Sequence, residues 1–262
     1  MNATTARLLR ATWPPVVFGG ALLLAWQGAV KLFDWKPYFL PTPLSIADRI
    51  QEHFPLIRAA TWVSGMNALV GLLAGTVAGV VVAFALMRFR MLNELVTPLA
   101  IALNAIPIVV LVGVLSKLYP PTSEVPRRVM VMLVVYFVIL VNVAKGLRQV
   151  QPTHLELLRS YAAGPFAVIR KARIPNAVPY LFTALRIAAP TAVITAFVAE
   201  YFGGQQNGIG YRITTYLRRD AALGWAFVFA AIALGLAFYL ISIALESLIN
   251  QQRGRGPQGE HT

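Results

Sequence analysis

Long apolar runs, separated by short segments that carry most of the charges, dominate this sequence. A helix needs about 20 predominantly apolar residues to cross the hydrocarbon core of a bilayer. Hydrophobic residues make up 58% of the chain and charged residues only 13%, about half of the charged fraction of a typical soluble domain. The sequence lacks the alternating segments of about 10 residues that mark membrane β-barrels. The pattern predicts an all-α integral membrane protein with six transmembrane helices. The predicted spans are Pro15–Phe33, Gly65–Met87, Val96–Leu118, Arg128–Val143, Ala177–Tyr201 and Gly224–Ile249.

The flanks of the first and last runs set the expected domain boundaries. Arg7 and Arg10 precede the first run as they would in a signal peptide, but the run continues to Phe33 without a small-residue cleavage site. We therefore expect a retained first span after a cytoplasmic segment at residues 1–14, and one membrane domain over residues 15–249. The polar, glycine-rich residues 250–262 predict a disordered tail.

The distribution of positive charge indicates the orientation. The chain has a net charge of +13, and its cations concentrate at the ends of the apolar runs, where they face lipid headgroups and set topology. No basic and aromatic stripe lies outside the spans, so we expect no nucleic-acid partner. The loop at residues 145–176 holds six Lys and Arg residues against the single acid Glu156. This bias predicts that the loop and both termini are cytoplasmic.

The sequence offers no energy source of its own. His53, His154 and His261 all lie outside the predicted spans, so no proton relay is evident. No G-x-x-x-x-G-K-[ST] phosphate loop occurs, and the chain has no cysteine. The spans hold no nucleophile and base pair or metal cluster of the kind that a membrane enzyme needs. The remaining alternatives are a transport subunit driven by another chain, and an ATP-independent channel or secondary carrier.

Two segments predict how the helices pack. Gly71, Gly75 and Gly79 recur at four-residue spacing, and such stripes let two helix backbones approach closely inside a membrane. Before them, "LPTPLSIADRIQEHFPLIRAATW" places Ile46 and Ile57 among apolar residues at helical spacing. This pattern predicts an amphipathic helix, either in the headgroup zone or packed on the protein.

The stretch "ELLRSYAAGPFAVIRKARIP" interrupts the apolar runs with a basic segment that contains a Gly-Pro break. Gly164 fits a helix C-cap and Pro165 fits the first turn of a second, short helix. Pro175 is expected to end that helix, and Asn176 to cap the next span. A short amphipathic helix held by bends suits docking in a partner's groove. Resting on anionic lipid is the alternative.

This stretch resembles the cytoplasmic loop of importer-type ATP-binding-cassette (ABC) permeases, whose pattern is E-A-A, three residues, G, and a downstream I-x-L-P. Glu156 and Pro175 match at the correct separation, whereas Ala162 replaces the glycine. The lost glycine freedom favours a bend at Gly164–Pro165 instead. The segments "LPTPLSIADRI", "YLFTALRIAAP" and "AEYFGGQQNGIGYRI" are similar to the nitrate/sulfonate/taurine branch, whose relatives also import thiamine-precursor pyrimidines and flavins.

The resemblance implies a type I (MetI-like) importer permease in the bacterial inner membrane, without catalytic activity of its own. It implies two permease subunits, two cytoplasmic ATPase subunits that hold ATP and Mg²⁺, and an extracytoplasmic solute-binding protein. This chain itself would hold no cofactor. The solute would be a small polar or anionic compound or a vitamin precursor. The residues expected to couple to the ATPase are Glu156, Ala162, Ala163, Gly164, Pro165, Phe166, Arg170 and Pro175.

Polar residues within the spans are candidates for the solute pathway or its gates. Arg186 either attracts an anion or pairs with an acid or carbonyl as an internal strut, and the resemblance favours the strut. Glu200 either forms an outer gate, meets the binding protein, or is an interfacial carboxylate. Pro107 is expected to kink the third span. The remaining pathway candidates are Asn104, Asn142, Thr191 and Thr195.

Two of these expectations have plain alternatives. Asn104 can form an interhelical hydrogen bond, and threonines such as Thr191 and Thr195 often bond to carbonyls of their own helix. After the fifth span, "EYFGGQQNGIGY" predicts a tight glycine-rich loop that suits docking of the binding protein. The docking candidates are Gly204, Gln205, Gln206 and Asn207.

Overall fold

The computed structural model describes residues 3–89, 106–120, 122–203 and 207–253. The described residues form helices and connecting turns, with no strand among them. We number the α-helices α1 to α10 in chain order. They are α1 Ala3–Leu32, α2 Pro43–Glu52, α3 Phe54–Arg88, α4 Ile108–Leu118, α5 Val125–Arg148, α6 Pro152–Ser160, α7 Pro165–Val168, α8 Ile174–Phe202, α9 Gly208–Tyr216 and α10 Ala221–Arg253. A π-helical turn, Ile169–Arg173, joins α7 to α8.

Four helical segments in the described part are long and apolar enough to cross a membrane: Phe54–Arg88, Val125–Arg148, Pro165–Phe202 and Ala221–Leu248. They contain the second, fourth and fifth predicted spans and all of the sixth except its last residue, Ile249. The first and third predicted spans correspond to shorter apolar helices, Val17–Leu32 and Ile108–Leu118. The all-helical membrane fold is therefore confirmed, and four of its six predicted spans are matched by full-length helices.

The core is a three-helix layer of α3, α5 and α8. The glycine stripe of α3 lies directly against α5, and its members Gly71, Gly75 and Gly79 are all buried. A Cβ at position 75 would lie 2.6 Å from the carbonyl oxygen of Met132 and 2.8 Å from the Cβ of Val135. The close internal packing predicted from the stripe is confirmed, because only glycine leaves room for the facing backbone.

A second apolar cluster joins α2, α9 and the first turns of α10. Ile46 on α2 is buried and packs with Ile209 and Phe227. One turn further along the same face of α2, Arg49 forms an ion pair of 3.0 Å with Asp220. Of the two predicted placements, the structure shows α2 packed on the protein. The predicted amphipathic segment also divides at His53, so Ile57 belongs to α3.

Pro107 was predicted to kink the third span, but residues 96–105 of that span lie outside the described part of the chain. Pro107 has φ −58° and ψ 124° and precedes the first residue of α4. This conformation is extended, which the fixed φ of proline accommodates at a helix start. Within the described residues, Pro107 therefore marks where α4 begins.

Large apolar side chains cover the outside of α1 and α10. Phe18 and Leu32 on α1 are 72% and 80% exposed, and Leu240 and Leu248 on α10 are 53% and 59% exposed. Such a surface is unfavourable in water but suits hydrocarbon, where an apolar exterior costs nothing. The bundle thus has a polar end at each terminus of its helices and an apolar surface between them.

Candidate functional site: a basic loop and a buried polar cluster at opposite ends of the bundle

The basic loop lies at the end of the bundle where α5 ends and α8 begins, which we call the loop end. It contains α6, a turn, α7 and the π-helical turn. None of the residues of α6 and α7 is buried. Glu156 on α6 is exposed, and Phe166 on α7 is 76% exposed. An exposed phenylalanine beside a basic turn leaves a surface that another molecule can cover.

Ala162 makes the bend that ends α6. It has a φ of +53°, in the left-handed region that favours glycine. The amide of Ala162 donates to the carbonyl of Arg159 at 2.9 Å, and the amide of Ala163 donates to the carbonyl of Leu158 at 3.0 Å. These two bonds form a Schellman motif, which satisfies the last carbonyls of the helix.

The expected shift of the bend to Gly164 was therefore wrong. Gly164 has φ −67° and ψ 166° and precedes α7 as its N-cap, so it is not a C-cap. The hydrogen bonds that close α6 depend on the backbone alone, and the alanine side chain is small enough to accept the left-handed conformation at a modest cost.

The far end of the loop also differs from the prediction. Pro175 does not end the short helix, because the chain continues through the π-helical turn into α8 and Pro175 lies in the first turn of α8. Asn176 does not cap α8. Its amide group instead donates to the carbonyls of Gly146 at 2.7 Å and Gln149 at 3.1 Å, at the end of α5. The loop is thus continuous with α8 and tied to α5.

The opposite end of the bundle holds a buried polar cluster around Glu200. The carboxylate is completely buried, with Oε2 accepting from the Ser64 hydroxyl at 2.7 Å and from the Gly210 amide at 3.0 Å. The Ser64 oxygen in turn accepts from the amide of Ile209 at 2.9 Å. Glu200 therefore joins α8, α3 and the start of α9. A completely buried carboxylate does not fit the interfacial alternative, whereas the gate role of Glu200 stays a prediction.

Arg127 provides the positive charge of this cluster. Its side chain is 1% exposed and lies 2.5 Å from Glu124 and 3.7 Å from Glu200. Two acids and one buried arginine thus form a charged triad within the bundle. Charges removed from water need such close partners, because their desolvation is costly.

Glu124 connects the triad to the loop before α9. Its two carboxylate oxygens accept from the side-chain amides of Asn207 at 2.8 Å and Asn67 at 2.7 Å. Asn67 also accepts from Nε of Arg128 at 3.0 Å. The sequence analysis missed this network. The spacing of Glu124 and Arg127, one helical turn apart at the start of an apolar run, was the available signal.

A second charged contact lies within the apolar part of the bundle. Arg186 on α8 forms an ion pair with Glu246 on α10. Glu246 lies in the sixth predicted span and was not predicted as the partner of Arg186. The pairing matches the expected internal strut.

The other pathway candidates are satisfied locally or lie elsewhere. Thr191 donates to the carbonyl of Ile187 at 2.7 Å, and Thr195 donates to that of Thr191 at 2.8 Å. Asn142 donates to the carbonyl of Val138 at 2.8 Å, also in its own helix. The two threonines thus follow their plain alternative, and Asn142 is satisfied in the same local way. Outside the described residues lie Asn104, Gly204, Gln205 and Gln206.

Comparison with known proteins agrees with this architecture. The family model described as "Binding-protein-dependent transport system inner membrane component" matches residues 75–255. A probable ABC transporter permease protein of Haemophilus influenzae is 28% identical over 226 residues, which cover 86% of this chain and 91% of that protein. The formylaminopyrimidine transport permease protein ThiX of Halalkalibacterium halodurans is 28% identical over 207 residues, 75% of this chain and 78% of that protein.

A solved structure shares the fold. A chain from the inward-facing MetNI methionine ABC transporter superposes with a TM-score of 0.63 over 74% of this chain and 96% of that chain, at 18% sequence identity. At this identity the likeness shows the fold alone.

Proposed function

Because this chain belongs to the family of binding-protein-dependent transport system inner membrane components, and is an ABC importer permease, we propose that its basic loop receives the force of the ATPase. In this proposal the chain forms the solute pathway, and ATP is bound and hydrolysed on separate subunits. The loop, residues 145–176, faces the cytoplasm. The polar cluster faces the solute-binding protein on the other side of the membrane.

The observation that carries the proposal is the continuity of the exposed loop with α8. α7, the π-helical turn and α8 follow one another without a break, so they form a single helical segment, Pro165–Phe202. A partner that displaces α7 would therefore move α8 as a lever. Two-state transporters work through such rigid-body shifts, biased by a ligand that binds one state better. Phe166 is the apolar anchor of the docking surface, and Arg170 contributes its charge.

The same lever reaches the polar cluster. Glu200 lies near the far end of α8 and contacts α3 and α9. A shift of α8 would therefore reach the loop at residues 203–207, which we propose as part of the docking surface for the binding protein. Asn207 supports this role, because its hydrogen bond to Glu124 fixes one end of that loop to α5.

We propose a small polar or anionic compound or a vitamin precursor as the solute. ThiX, a permease named for a formylaminopyrimidine, is among the similar proteins and favours the pyrimidine class within this range. The ion pair of Arg186 with Glu246 supports a role for Arg186 as a strut rather than as an anion site. Specificity would then reside mainly in the binding protein.

The assembly we propose contains two permeases, as a homodimer or with a similar chain, and two ATPase subunits. The exposed apolar faces of α1 and α10 offer area both for lipid and for a second permease. The main alternative function is an ATP-independent channel or secondary carrier.

The test compares Glu156→Lys with Asp48→Lys, a matched change of an exposed acid on α2 at the other end of the bundle. Each variant is co-expressed with its ATPase, purified, and placed in proteoliposomes with the binding protein. We expect Glu156→Lys to abolish ATP-driven uptake and weaken ATPase co-purification at unchanged permease yield, whereas Asp48→Lys retains both. Solute transport by the chain alone, without any ATPase, would instead support the channel or carrier.

A further inference from the structure

A pocket of about 630 Å³ lies at the end of the bundle opposite the basic loop. It is enclosed by the segment after α1, the start of α2 and the junction of α9 with α10. It is lined by aromatic, hydroxyl and basic side chains, among them Trp35, Tyr38, Ser45, Arg49, Arg218 and Arg219. Neither the charged triad nor the basic loop contributes a residue to its lining.

The pocket has an excess of positive charge. Three arginines line it against one acid, Asp220. That acid is already occupied, because it pairs with Arg49 at 3.0 Å and accepts from the amide of Leu223 at 3.1 Å. Arg218 and Arg219 are exposed, and none of the ion pairs in the described part of the chain includes either of them. The helix starts of α2 and α10 add further positive potential. The pocket therefore favours an anion.

Exposed apolar and aromatic side chains adjoin the pocket along the chain. Leu32, Phe33 and Phe39 neighbour its lining residues in the segment after α1 and are 80%, 63% and 69% exposed. Trp35 and Tyr38 line the pocket and are 39% and 81% exposed, and these two residue types concentrate at the membrane–water interface. A free anion or a soluble acidic protein would leave these side chains facing water. A ligand with an anionic head and hydrocarbon tails satisfies both the arginines and the neighbouring apolar side chains.

We propose that this pocket binds the headgroup of an anionic phospholipid, with Arg218 and Arg219 at its phosphate and the acyl chains along the exposed end of α1. Trp35 and Tyr38 would pack against the glycerol region. The placement of this lipid site in the outer leaflet rests on the proposed cytoplasmic orientation of the basic loop, but the site itself does not depend on the docking surfaces proposed for the ATPase and the binding protein.

The test is native mass spectrometry of the detergent-purified full-length chain, titrated with phosphatidylglycerol or with phosphatidylcholine of identical acyl chains. We expect selective retention of phosphatidylglycerol. Each basic residue near an anionic lipid contributes roughly a fivefold change in binding, so Arg218→Gln/Arg219→Gln should weaken retention about 10-fold or more. The control Arg58→Gln/Arg212→Gln removes two cations from the same end of the bundle but outside the pocket, and should change retention little.

Four results would overturn the inference. Equal retention of the two lipids would show that charge does not select the ligand. Equal loss in both double variants would show a general charge effect. Displacement of phosphatidylglycerol by millimolar inorganic phosphate would identify a free-anion site. If Arg218→Gln/Arg219→Gln left lipid retention intact and weakened only the capture of the binding protein, the pocket would be a protein contact instead.

Discussion

Arg186 and Glu246 form an ion pair that joins α8 to α10 within the apolar part of the bundle. The arginine remains 43% exposed at its side chain, whereas the glutamate is 19% exposed. Charges within membrane segments are costly and pair with one another or with backbone groups. This pair therefore fixes the position of α10 against α8, the helix that continues from the basic loop.

Removing one member of this pair should destabilise the chain more than removing both. Arg186→Gln or Glu246→Gln leaves an uncompensated charge, and we expect each to lower the free energy of unfolding by about 1–3 kcal/mol. The double variant should lose less than the sum of the two, because neither charge is then stranded. Thermal unfolding of the four proteins in one detergent measures this. Strictly additive losses would show that the two side chains do not interact.

The glycine stripe of α3 gives a second prediction. A methyl group at position 75 would approach the backbone of Met132, so Gly75→Ala must push α3 and α5 apart and should destabilise by about 1–3 kcal/mol. Gly235→Ala on α10 is the matched control, since its Cβ would meet nothing within 4 Å. We expect that control to be neutral or slightly stabilising. Equal melting temperatures for the two variants would contradict the close α3–α5 contact.

Hydropathy identified the helical membrane class and the positions of four full-length helices, because apolar runs are a local property of the sequence. It did not identify their ends. α3 begins at Phe54, not at Gly65, because its first turns pack on protein and need no continuous apolar run. At roughly 1.5 Å per residue its 35 residues exceed the thickness of a bilayer core.

The two ends of the bundle also differ in how much of them could be predicted from the sequence. The basic loop was identified from local signals, namely a basic segment with Gly and Pro and a pattern that resembles the family's loop. The buried triad depends on contacts distant in sequence: Ser64 and Glu200 are 136 positions apart. No local pattern marks such a pair, so the burial of Glu200 was not predicted and Arg127 was overlooked. For the same reason Asn176 was predicted to cap its own helix, α8, whereas its side chain bonds to carbonyls at the end of α5.

The left-handed bend at Ala162 predicts a stabilising substitution. Ala162→Gly removes the contact of Cβ with the backbone at positive φ, which costs roughly 1–2 kcal/mol for a non-glycine residue. We expect slower hydrogen exchange of the α6 amides and unchanged or improved ATP-driven uptake. Ala163→Gly is the control, because Ala163 has no positive φ and glycine there only adds flexibility. Faster exchange in Ala162→Gly than in the parent chain would count against the strained bend.

The buried triad predicts a large and asymmetric effect of Arg127. Arg127→Gln leaves the carboxylates of Glu124 and Glu200 close together without their shared cation, and breaking such a buried pair costs about 3–5 kcal/mol. Arg127→Gln/Glu200→Gln should recover part of this loss, because glutamine can still accept from Ser64 and Gly210.

Arg128→Gln is the matched control. Arg128 is the next residue, is only partly buried, and is linked to the triad by its hydrogen bond to Asn67. We expect Arg128→Gln to lower the free energy of unfolding by about 1 kcal/mol, the net contribution of one hydrogen bond. The measurement is the melting temperature and folded yield of each variant in the same detergent. If Arg127→Gln and Arg128→Gln had the same melting temperature, or if the second substitution at Glu200 lowered stability further, the triad would not be the electrostatic unit described above.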